Sequence, residues 1–436
     1  MITGRTVLLC ALGALIPPLT PAPDLVPLLV LAVLLVLVVV DWLLAGNVGA
    51  VRCERRGATQ TRLGEAATVT LLVTNGGRRT LRARIRDAWV PSAGASPYEH
   101  RVKIPAGDRR ALETVLRPTR RGDRPAARVT IRSYGPLGLV FRQTWRRKAT
   151  RLTPPWTVRV LPPFTSRRFL PEKLSRLRQL DGSLAVRGRG QGTEFDALRE
   201  YVDGDDVRSI DWRATARRST VVVRTWRPER DRRLVCVIDT GRTSAARVGD
   251  IPRLDAALDA CLLLAAVAAK AGDRVDLLAV DTALRGSVSG ASRNSVLPEM
   301  VQAMAPLEPR LVESNFGLMV SEVVRRERKR CLVVLFTAME PSALADGLLP
   351  VLPQLTSKHT VILASVGDPT VTEMARRRGD TEAVYEAAAA ERALGERRQI
   401  IGALRRRGVE VVDEPADIFP SKVADAYLEL KAAGLL

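Results

Sequence analysis

Residues 234–243 read LVCVIDTGRT, and residues 254–272 read LDAALDACLLLAAVAAKAG. The first stretch begins with a continuous apolar run that ends in Asp239, which is typical of a strand buried on both faces of a sheet. The second stretch is long and apolar and ends at Gly272, which predicts a buried helix. A buried strand followed by a covering helix is the repeating unit of α/β proteins, so this pair predicts an α/β domain.

The alternation of strands and helices continues to the C-terminus. Helices are predicted near Ser295–Met304 and Phe316–Arg328 and in the tail. Further strands are predicted at RVDLLAVD (274–281), CLVVLFT (331–337), TVILASV (360–366) and VEVVD (409–413). Apolar strands that alternate with helices indicate a Rossmann-like parallel sheet covered on both faces. No GxGxxG or Walker sequence stands at a strand-to-helix turn, so neither a dinucleotide nor ATP is indicated.

Residues 51–151 follow a different rhythm. Short runs with alternating apolar and polar positions, such as TVTLLVTN (68–75) and LRARIRDAWV (81–90), are separated by the turn signals NGG, AGD, RGD and YGPLG. This rhythm predicts an immunoglobulin-like β-sandwich. Residues 152–186 contain two Pro-Pro pairs and are predicted to form a linker, whose basic helix EKLSRLRQL packs on the next domain.

The N-terminus contains two apolar segments. Leu25–Ala45 is nearly charge-free and long enough to span a bilayer, whereas Thr6–Leu19 is either a short span or the core of a signal peptide. Arg5 precedes the first segment, and three arginines follow the second within residues 52–56. The positive-inside rule then places both ends in the cytoplasm, so the soluble domains are expected to face the cytoplasm from the cytoplasmic membrane.

These patterns predict a multidomain chain. The predicted parts are a membrane anchor of one short and one full transmembrane helix (1–50), a β-sandwich (51–151), a linker (152–186) and an α/β domain with the charged segment before it (187–436).

Charge and composition narrow the choice of partners. The formal net charge is +21 over 436 residues, which favours an anionic partner such as the inner membrane leaflet or an acidic protein, or reflects a general enrichment in arginine. Aromatic residues make up only 4% of the chain, so stacking platforms are scarce and nucleic acid is not favoured. The five cysteines form no CxxC pair, which indicates reduced thiols and neither a zinc site nor disulfides.

Residues 188–230 read GRGQGTEFDALREYVDGDDVRSIDWRATARRSTVVVRTWRPER and are called here the signature block. The block resembles the signature of the bacterial "domain of unknown function 58" family, and the similarity extends over nearly the whole chain. The resemblance implies that the block leads into a von Willebrand factor A-like domain. It also implies MoxR-type AAA+ ATPases and other membrane proteins as partners, with this chain as an adaptor that helps to assemble or remodel a client complex.

The resemblance further implies a site at the end of the first α/β strand. Von Willebrand A domains carry DxSxS there, whose aspartate and hydroxyls hold Mg²⁺ together with groups from later loops. Asp239 and Thr243 match this motif, and Thr337 matches a later threonine. The altered positions are Gly241, Asn315 and Ala338. A degenerate site of Asp239, Thr243 and Thr337 is therefore expected, with weak Mg²⁺ binding or none and no other cofactor.

The signature block combines acids, arginines and aromatic residues at high density. Such density predicts a partly buried ion-pair network, with Asp205, Arg208, Asp211, Arg217, Glu194 and Glu229 as its expected members. The candidate site residues of the block are Glu194, Arg199, Tyr201, Asp205, Arg208, Asp211, Trp212, Arg217, Arg224 and Glu229. Two roles stay open: a rigid brace between the sandwich and the α/β domain, or a surface that docks a partner protein near Asp239.

Catalysis is not indicated. His100 and His359 are the only histidines, and neither stands in a Ser-His-Asp or Cys-His sequence setting. The acids of the signature block lie among arginines, which lower carboxylate pKa values and argue against a general acid. The sequence and its resemblance together predict a non-enzymatic adaptor. Two alternatives stay open: a Mg²⁺-dependent von Willebrand A-type protein-binding module, and a protein that binds anionic polymers or anionic lipids.

Overall fold

The computed structural model describes residues 2–15, 25–144, 152–187, 194–227 and 232–436. The chain divides into two compact units, Met1–Pro163 and Phe164–Leu436. This division falls inside the stretch that the sequence predicts to be a linker. Residues 157–161 form a strand of the first unit, which the sequence did not predict. Residues 170–187 form a helix of the second unit, where the sequence predicts the basic helix EKLSRLRQL.

The first unit contains two β-sheets. One sheet has the strand order β1-β3-β7-β5, and the other has the order β2-β10-β8-β4-β6, with β9 added to β8. The strands are β1 (Val51–Gly57), β2 (Gln60–Arg62), β3 (Ala67–Asn75), β4 (Leu81–Trp89), β5 (Ala95–Ser96), β6 (Glu99–Ile104), β7 (Arg109–Leu116), β8 (Gly122–Tyr134), β9 (Phe141–Gln143) and β10 (Thr157–Leu161).

The two sheets pack through the apolar faces that their alternating sequences predict. On β3 the side chains of Val69, Leu71 and Val73 are buried, and on β4 those of Leu81 and Ile85 are buried, while the residues between them are more exposed. Side chains from both sheets share one core cluster. The predicted β-sandwich is thus confirmed as two packed, mainly antiparallel sheets.

Two apolar helices precede the sandwich, Gly4–Ala14 and Val26–Leu44. Among the described residues, one helical segment, Val26–Ala50, is long and apolar enough to cross a membrane. The helix Gly4–Ala14 has 11 residues, which corresponds to about 16 Å and is shorter than a hydrocarbon core of about 30 Å. The end of the predicted segment Thr6–Leu19 lies outside the described residues.

Both apolar helices are attached to one loop of the sandwich, Gly135–Val140, called here the clamp loop. The buried carboxylate of Asp41, in the last turn of the second helix, accepts hydrogen bonds from the backbone N–H groups of Leu137, Leu139 and Val140 at 2.8, 2.8 and 3.0 Å. Thr3, which precedes the first helix, donates its hydroxyl to the Gly138 carbonyl at 2.7 Å. The start of the first helix and the end of the second therefore lie at the same loop.

The second unit contains a hairpin and a six-stranded sheet. The hairpin pairs β11 (Glu194–Glu200) with β12 (Val222–Arg227). The sheet has the order β17-β16-β13-β18-β19-β20, formed by β13 (Arg233–Asp239), β16 (Arg274–Val280), β17 (Leu284–Val288), β18 (Leu332–Phe336), β19 (Thr360–Gly367) and β20 (Val409–Pro415). A short hairpin, β14 (Arg247–Val248) with β15 (Ile251–Pro252), stands apart from this sheet.

Neighbouring strands of the six-stranded sheet are parallel except at one edge. The edge strand β17 pairs antiparallel with β16, and the sequence missed it because its residues LRGSV lack the apolar run of a buried strand. The helices of the unit are Leu170–Arg187, Trp212–Arg218, Arg253–Lys270, Val296–Met304, Phe316–Arg326, Pro341–Ala343, Pro353–Thr356, Pro369–Arg376, Thr381–Arg406 and Phe419–Ala432.

Helices cover both faces of the sheet. Successive residues of each strand point to opposite faces, so the continuous apolar strands present apolar side chains to the helices on both sides. On one face, Val235 and Val237 of β13 join a cluster with residues of Phe316–Arg326 and Thr381–Arg406. On the other lies Arg253–Lys270, called here the central helix, which packs on Phe419–Ala432. The helix Leu170–Arg187 attaches to this layer through the buried ammonium of Lys173, which contacts Asp425 at 2.9 Å.

Candidate functional site

The carboxylate of Asp239 is the centre of a hydrogen-bonded cluster at the carboxyl end of β13. Asp239 is 1% exposed. Its Oδ1 accepts from the Gly241 N–H at 2.8 Å and from the Ser314 hydroxyl at 2.5 Å, and its Oδ2 accepts from the Thr337 hydroxyl at 2.7 Å and the Thr243 hydroxyl at 3.4 Å. The structure therefore brings together the three residues that the sequence places in the degenerate site, and it adds Ser314.

The Ser314 side chain packs so closely against Gly241 that residue 241 has no room for a side chain. A Cβ atom at residue 241 would lie 2.2 Å from the Ser314 hydroxyl oxygen and 3.1 Å from Oδ1 of Asp239. The φ angle of Gly241 is −76°, so the backbone itself would accept another residue and the restriction is purely one of space. Ser314 thus fills the place beside Asp239 that a side chain at residue 241 would otherwise enter.

The other two altered positions do not supply ligands to this cluster. Asn315 begins the helix Phe316–Arg326, and its side-chain oxygen accepts from the Leu318 N–H at 2.9 Å, as an N-cap does. Ala338 is buried and has no polar side-chain atom. Asp281, which is fully buried at the end of β16, accepts from the Ala283 N–H at 3.0 Å and contacts Arg285 at 3.5 Å.

The Asp239 cluster has the types of oxygen ligand that a hard cation prefers, but it has only one carboxylate and its hydroxyls are already engaged. Carboxylate and hydroxyl oxygens are the ligands that Mg²⁺ prefers. Of the side chains that meet here only Asp239 is a carboxylate, and the hydroxyls around it already donate to it. No group of three or more His, Cys, Asp or Glu side chains in the described part of the chain is placed to hold a metal. Burial raises the pKa of Asp239, and its hydrogen-bond donors lower it by less.

The signature block forms a hairpin with a helix between its strands. Asp211 caps the helix Trp212–Arg218 by accepting from the backbone N–H groups of Arg213 and Ala214, both at 3.0 Å. Its other oxygen accepts from Arg224 on β12 at 2.9 Å. Arg199 on β11 forms a second ion pair, with Asp205. Each pair therefore joins a strand of the hairpin to the segment between the two strands.

The ion pairs of the block are separate rather than joined in a network, which corrects the prediction, and each is partly buried: the side chains of Asp205 and Asp211 are 21% and 15% exposed. The side chains of Arg199 and Arg224 are 39% and 46% exposed. Arg208 and Arg217, which the prediction counted as members, are exposed and form no ion pair with the described residues. Sequence density could not show this, because residues that alternate along strands and around a helix point in different directions. The side chain of Glu194 and the whole of Glu229 lie outside the described part.

Apolar side chains of the block also face solvent. Trp212 is 67% exposed, and Val202 and Val207, in the turn that leads to it, are 61% and 63% exposed. Tyr201, which the sequence also singled out, is half-buried and is held by a backbone bond from its N–H to the Val221 carbonyl at 2.8 Å. A large exposed tryptophan beside other exposed apolar groups is typical of an interaction surface.

A cysteine–histidine contact is present where the sequence predicted none. His359 Nδ1 lies 3.1 Å from the Cys331 sulfur, because the two residues directly precede the neighbouring strands β18 and β19. Burial raises the pKa of the Cys331 thiol to about 12 and lowers that of His359. Both groups are therefore neutral at physiological pH, which is the opposite of an activated thiolate.

Sequence reasoning missed two further polar groups near the carboxyl edge and the central helix. Arg253, the first residue of the central helix, lines a cleft at the carboxyl edge of the sheet. Asp259, in the middle of the same helix, is buried and accepts hydrogen bonds from Thr165 at 2.6 Å and from Ser166 at 3.0 Å. The available signal was the presence of charged residues in an otherwise apolar helix.

Comparisons with known proteins support the family resemblance that was inferred from the signature block. Uncharacterized protein Rv1480 of Mycobacterium tuberculosis (strain ATCC 25618 / H37Rv) is 25% identical to this chain over 192 residues, as is uncharacterized protein Mb1516 of Mycobacterium bovis. Each alignment covers 42% of this chain, and the chain spans 58% of the length of these curated relatives.

Solved structures show a distant likeness only. The crystal structure of the CARDB domain of the PF1109 protein from Pyrococcus furiosus, with di-metal ions, is 14% identical, covers 25% of this chain and 91% of its own, and gives a TM-score of 0.19. The solution structure of that domain is 12% identical over 26% of this chain and 94% of its own, with a TM-score of 0.20. Residues 197–390 match the family model described as "Protein of unknown function DUF58", and this region of the chain is therefore similar to that family, as the signature block predicts.

Proposed function

We propose that this protein is a membrane-anchored, non-enzymatic adaptor that docks a partner protein on its signature block. The observation that carries the proposal is Trp212, a tryptophan 67% exposed on a segment fixed by a hairpin, a helix cap and two ion pairs. Keeping so large an apolar side chain in water has no benefit for folding, whereas tryptophans dominate the energy of many protein interfaces.

The charges around Trp212 define the partner's chemistry. Arg208, Arg213 and Arg217 are exposed and surround the tryptophan in sequence. Exposed arginines beside an aromatic anchor favour a partner surface with Asp and Glu side chains, because complementary charges raise the association rate and exclude partners of like charge. The family resemblance implies a MoxR-type AAA+ ATPase as this partner, and an ATPase that engages an adaptor would act on a client complex at the membrane.

The N-terminal helices support the membrane anchor. Leu8 and Leu12 of the first helix and Leu28 and Leu35 of the second are 53–71% exposed, which leaves leucine surface on both helices without protein cover. Because the start of the first helix and the end of the second meet at the clamp loop, both can lie on one side of a bilayer. The arginines near those ends then favour the cytoplasmic side.

The second unit supports a finer assignment of fold. Five parallel strands covered by helices, with Asp239 at the carboxyl end of a central strand, are consistent with a Rossmann-like, von Willebrand A-type domain. Ligands of open parallel sheets bind beyond this edge. We propose that the α/β domain serves as a second contact region for the partner or the client.

The docking proposal is tested by co-purification of the full-length chain with a MoxR-type AAA+ ATPase from the same organism. The wild-type chain in detergent is expected to retain the ATPase, and the retention should fall as salt rises. The double variant Arg213→Glu/Arg217→Glu should lose most of the retained ATPase, whereas reversal of an exposed arginine elsewhere, Arg247→Glu, should not. Retention that is equal in both variants would reject the block as the docking surface.

A Mg²⁺-dependent binding module is the second candidate, favoured by the buried Asp239 carboxylate among hydroxyls. Asp239, Thr243, Ser314 and Thr337 would hold the ion, which would then present an open position to an acidic group of a partner. Calorimetric titration of the full-length chain with Mg²⁺ tests it. Heat that saturates below about 1 mM and disappears in Asp239→Asn would support this module; the absence of heat at that concentration would reject it.

A further inference from the structure

Arg253 is a half-buried cation without an ionic partner. It is the first residue of the central helix, and its Nε atom is buried and has no hydrogen-bond partner. No carboxylate among the described residues lies within ion-pair distance of its guanidinium. A buried donor without a partner costs free energy that folding must offset elsewhere, so such a group takes its partner from outside the chain, either a water molecule or a ligand.

Arg253 is one of the residues that line a cleft at the carboxyl edge of β18 and β19. Two residues with hydroxyl groups, Ser244 and Thr337, also line this cleft. The Ser244 hydroxyl donates to the backbone carbonyl of Asp239, and the Thr337 hydroxyl donates to its carboxylate, both at 2.7 Å. The remaining lining residues are apolar: Ala257, Phe336, Ala338, Ala364 and Val366. The cavity measures about 10 Å³, which is room for about one water molecule.

The surroundings of Arg253 leave its charge largely uncompensated. Burial lowers its pKa, and the nearby cation Arg397 lowers it further, while Asp368, Glu340 and Asp413 raise it from a distance. Arg397 is itself paired with Asp413, with its Nε 2.6 Å from Oδ2. The acids around Arg253 therefore either serve another arginine or remain beyond contact, and its planar fork of donors stays available.

We propose that Arg253 binds the carboxylate of an aspartate or glutamate side chain of a partner protein at the carboxyl edge of the sheet. A guanidinium fork matches a carboxylate in geometry, and the start of the central helix adds a favourable field for an anion. The small cavity has room for about one of the two carboxylate oxygens and none for a whole metabolite, so a side chain that reaches in from a protein surface, with its second oxygen outside the cavity, is the ligand that fits. This contact uses no metal and does not depend on the signature block.

The test is a calorimetric titration of the full-length chain in detergent and EDTA with N-acetylglutamic acid amide. The expected result is saturable, millimolar binding of this probe and none of N-acetylglutamine amide, because only the former carries a carboxylate. Arg253→Met should weaken binding by at least about tenfold, and Arg253→Lys should weaken it less, because it keeps the charge and loses the fork. The control Arg247→Ala, which removes an exposed arginine outside the cleft, should bind as the wild type does.

The same variants give a second, independent measurement. If Arg253 lacks a partner within the chain, Arg253→Met should melt at the same temperature as the wild type or above it, since the substitution removes a desolvated charge. A melting temperature several degrees lower would reveal an internal partner and overturn the proposal. Equal binding of the two probes, equal binding by wild type and Arg253→Met, or binding that requires Mg²⁺ would also overturn it.

Discussion

Asp239 and Asp211 are two aspartates of the same unit that the chain holds in opposite ways. Asp239 is buried, and its partners are three hydroxyls and one backbone N–H. Asp211 is only partly buried, and two backbone N–H groups of a helix start and the guanidinium of Arg224 hold it. The pKa of Asp239 is raised by burial, whereas that of Asp211 is lowered by the backbone N–H of Ala214 and by Arg224.

The two aspartates show that a region with many charges is not necessarily the region that is most tightly packed. The signature block is crowded with charges, yet the arginines of its two ion pairs are 39% and 46% exposed. Ion pairs with so exposed a partner contribute at most about 1 kcal/mol each. The Asp239 cluster has one carboxylate and only uncharged donors around it, yet its groups are packed so closely that a single Cβ at residue 241 does not fit. We therefore expect substitutions at the sheet edge to affect stability and substitutions in the block to affect binding.

The largest effect on stability is expected from Gly241→Ser. Its Cβ would collide with the Ser314 oxygen at 2.2 Å, so the second unit should lose about 1–3 kcal/mol of unfolding free energy. Ser314→Ala alone should lose about 1 kcal/mol with its hydrogen bond to Asp239. The double variant should be more stable than Gly241→Ser, because removal of the Ser314 oxygen makes room. Urea denaturation of the four proteins measures this coupling.

Gly379→Ala is the matched control, because a Cβ at that residue has open space around it. It should change stability by less than about 0.5 kcal/mol. If Gly241→Ser were as stable as this control, or if the double variant were the least stable of the set, the tight packing around Asp239 would be refuted.

We expect the carboxyl pKa of Asp259 to be raised and that of Asp211 to be lowered, with opposite effects on the pH dependence of stability. Asp259, like Asp239, is buried among hydroxyls, and burial raises its pKa. The folded state therefore binds the Asp259 proton more tightly than the unfolded state, and the stability that this provides is lost as pH rises through the folded pKa. Asp211 has a depressed pKa, so its contribution is present above the unfolded pKa and is lost as pH falls through the folded pKa.

Carboxyl-carbon NMR titration distinguishes these two cases directly. Asp259 should titrate above the ordinary aspartate range and Asp211 below it, with assignments taken from Asp259→Asn and Asp211→Asn. Titration of the two carboxyls in the reverse order, or together, would contradict the proposed difference between the buried carboxyl of Asp259, bound by hydroxyls, and the carboxyl of Asp211, paired with Arg224.

The smallest effect on stability is expected from Arg224→Ala in the signature block. Its side chain is 46% exposed, and the helix cap by Asp211 does not require it. The midpoint of thermal unfolding should stay within about 2 °C of the wild type. A large drop would mean that the block acts as a brace, the alternative that the sequence left open.

The order of strands and helices could be predicted because burial patterns are local. The apolar runs at 234–239, 331–337 and 360–366 lie on β13, β18 and β19, and the alternating runs of the sandwich lie on β3 and β4. The edge strand β17 and the strand β10 could not be predicted in the same way. An edge strand has few buried residues, and β10 is recognisable only through its pairing with β8, which lies about 30 residues earlier in the chain.

The candidate sites could be predicted only in part. Asp239, Thr243 and Thr337 do come together, because the carboxyl ends of parallel strands share one edge. Ser314 and Arg253 were missed, because their roles depend on a loop and a helix start whose positions only the fold determines. In the signature block the sequence could not tell which of Arg199, Arg208 and Arg224 have carboxylate partners.

The affinity of the full-length chain for the proposed partner, a MoxR-type AAA+ ATPase, measured for the wild type and for Trp212→Ala, tests the central claim most directly. Trp212 is expected to be an anchor of the interface, so its removal should weaken binding by at least about 30-fold, or 2 kcal/mol, while the melting temperature stays unchanged. Tyr385→Ala removes another exposed aromatic side chain, 74% exposed on the helix Thr381–Arg406, and should leave the affinity unchanged. Equal affinity of the wild type and Trp212→Ala would contradict the proposal that the signature block is the docking surface.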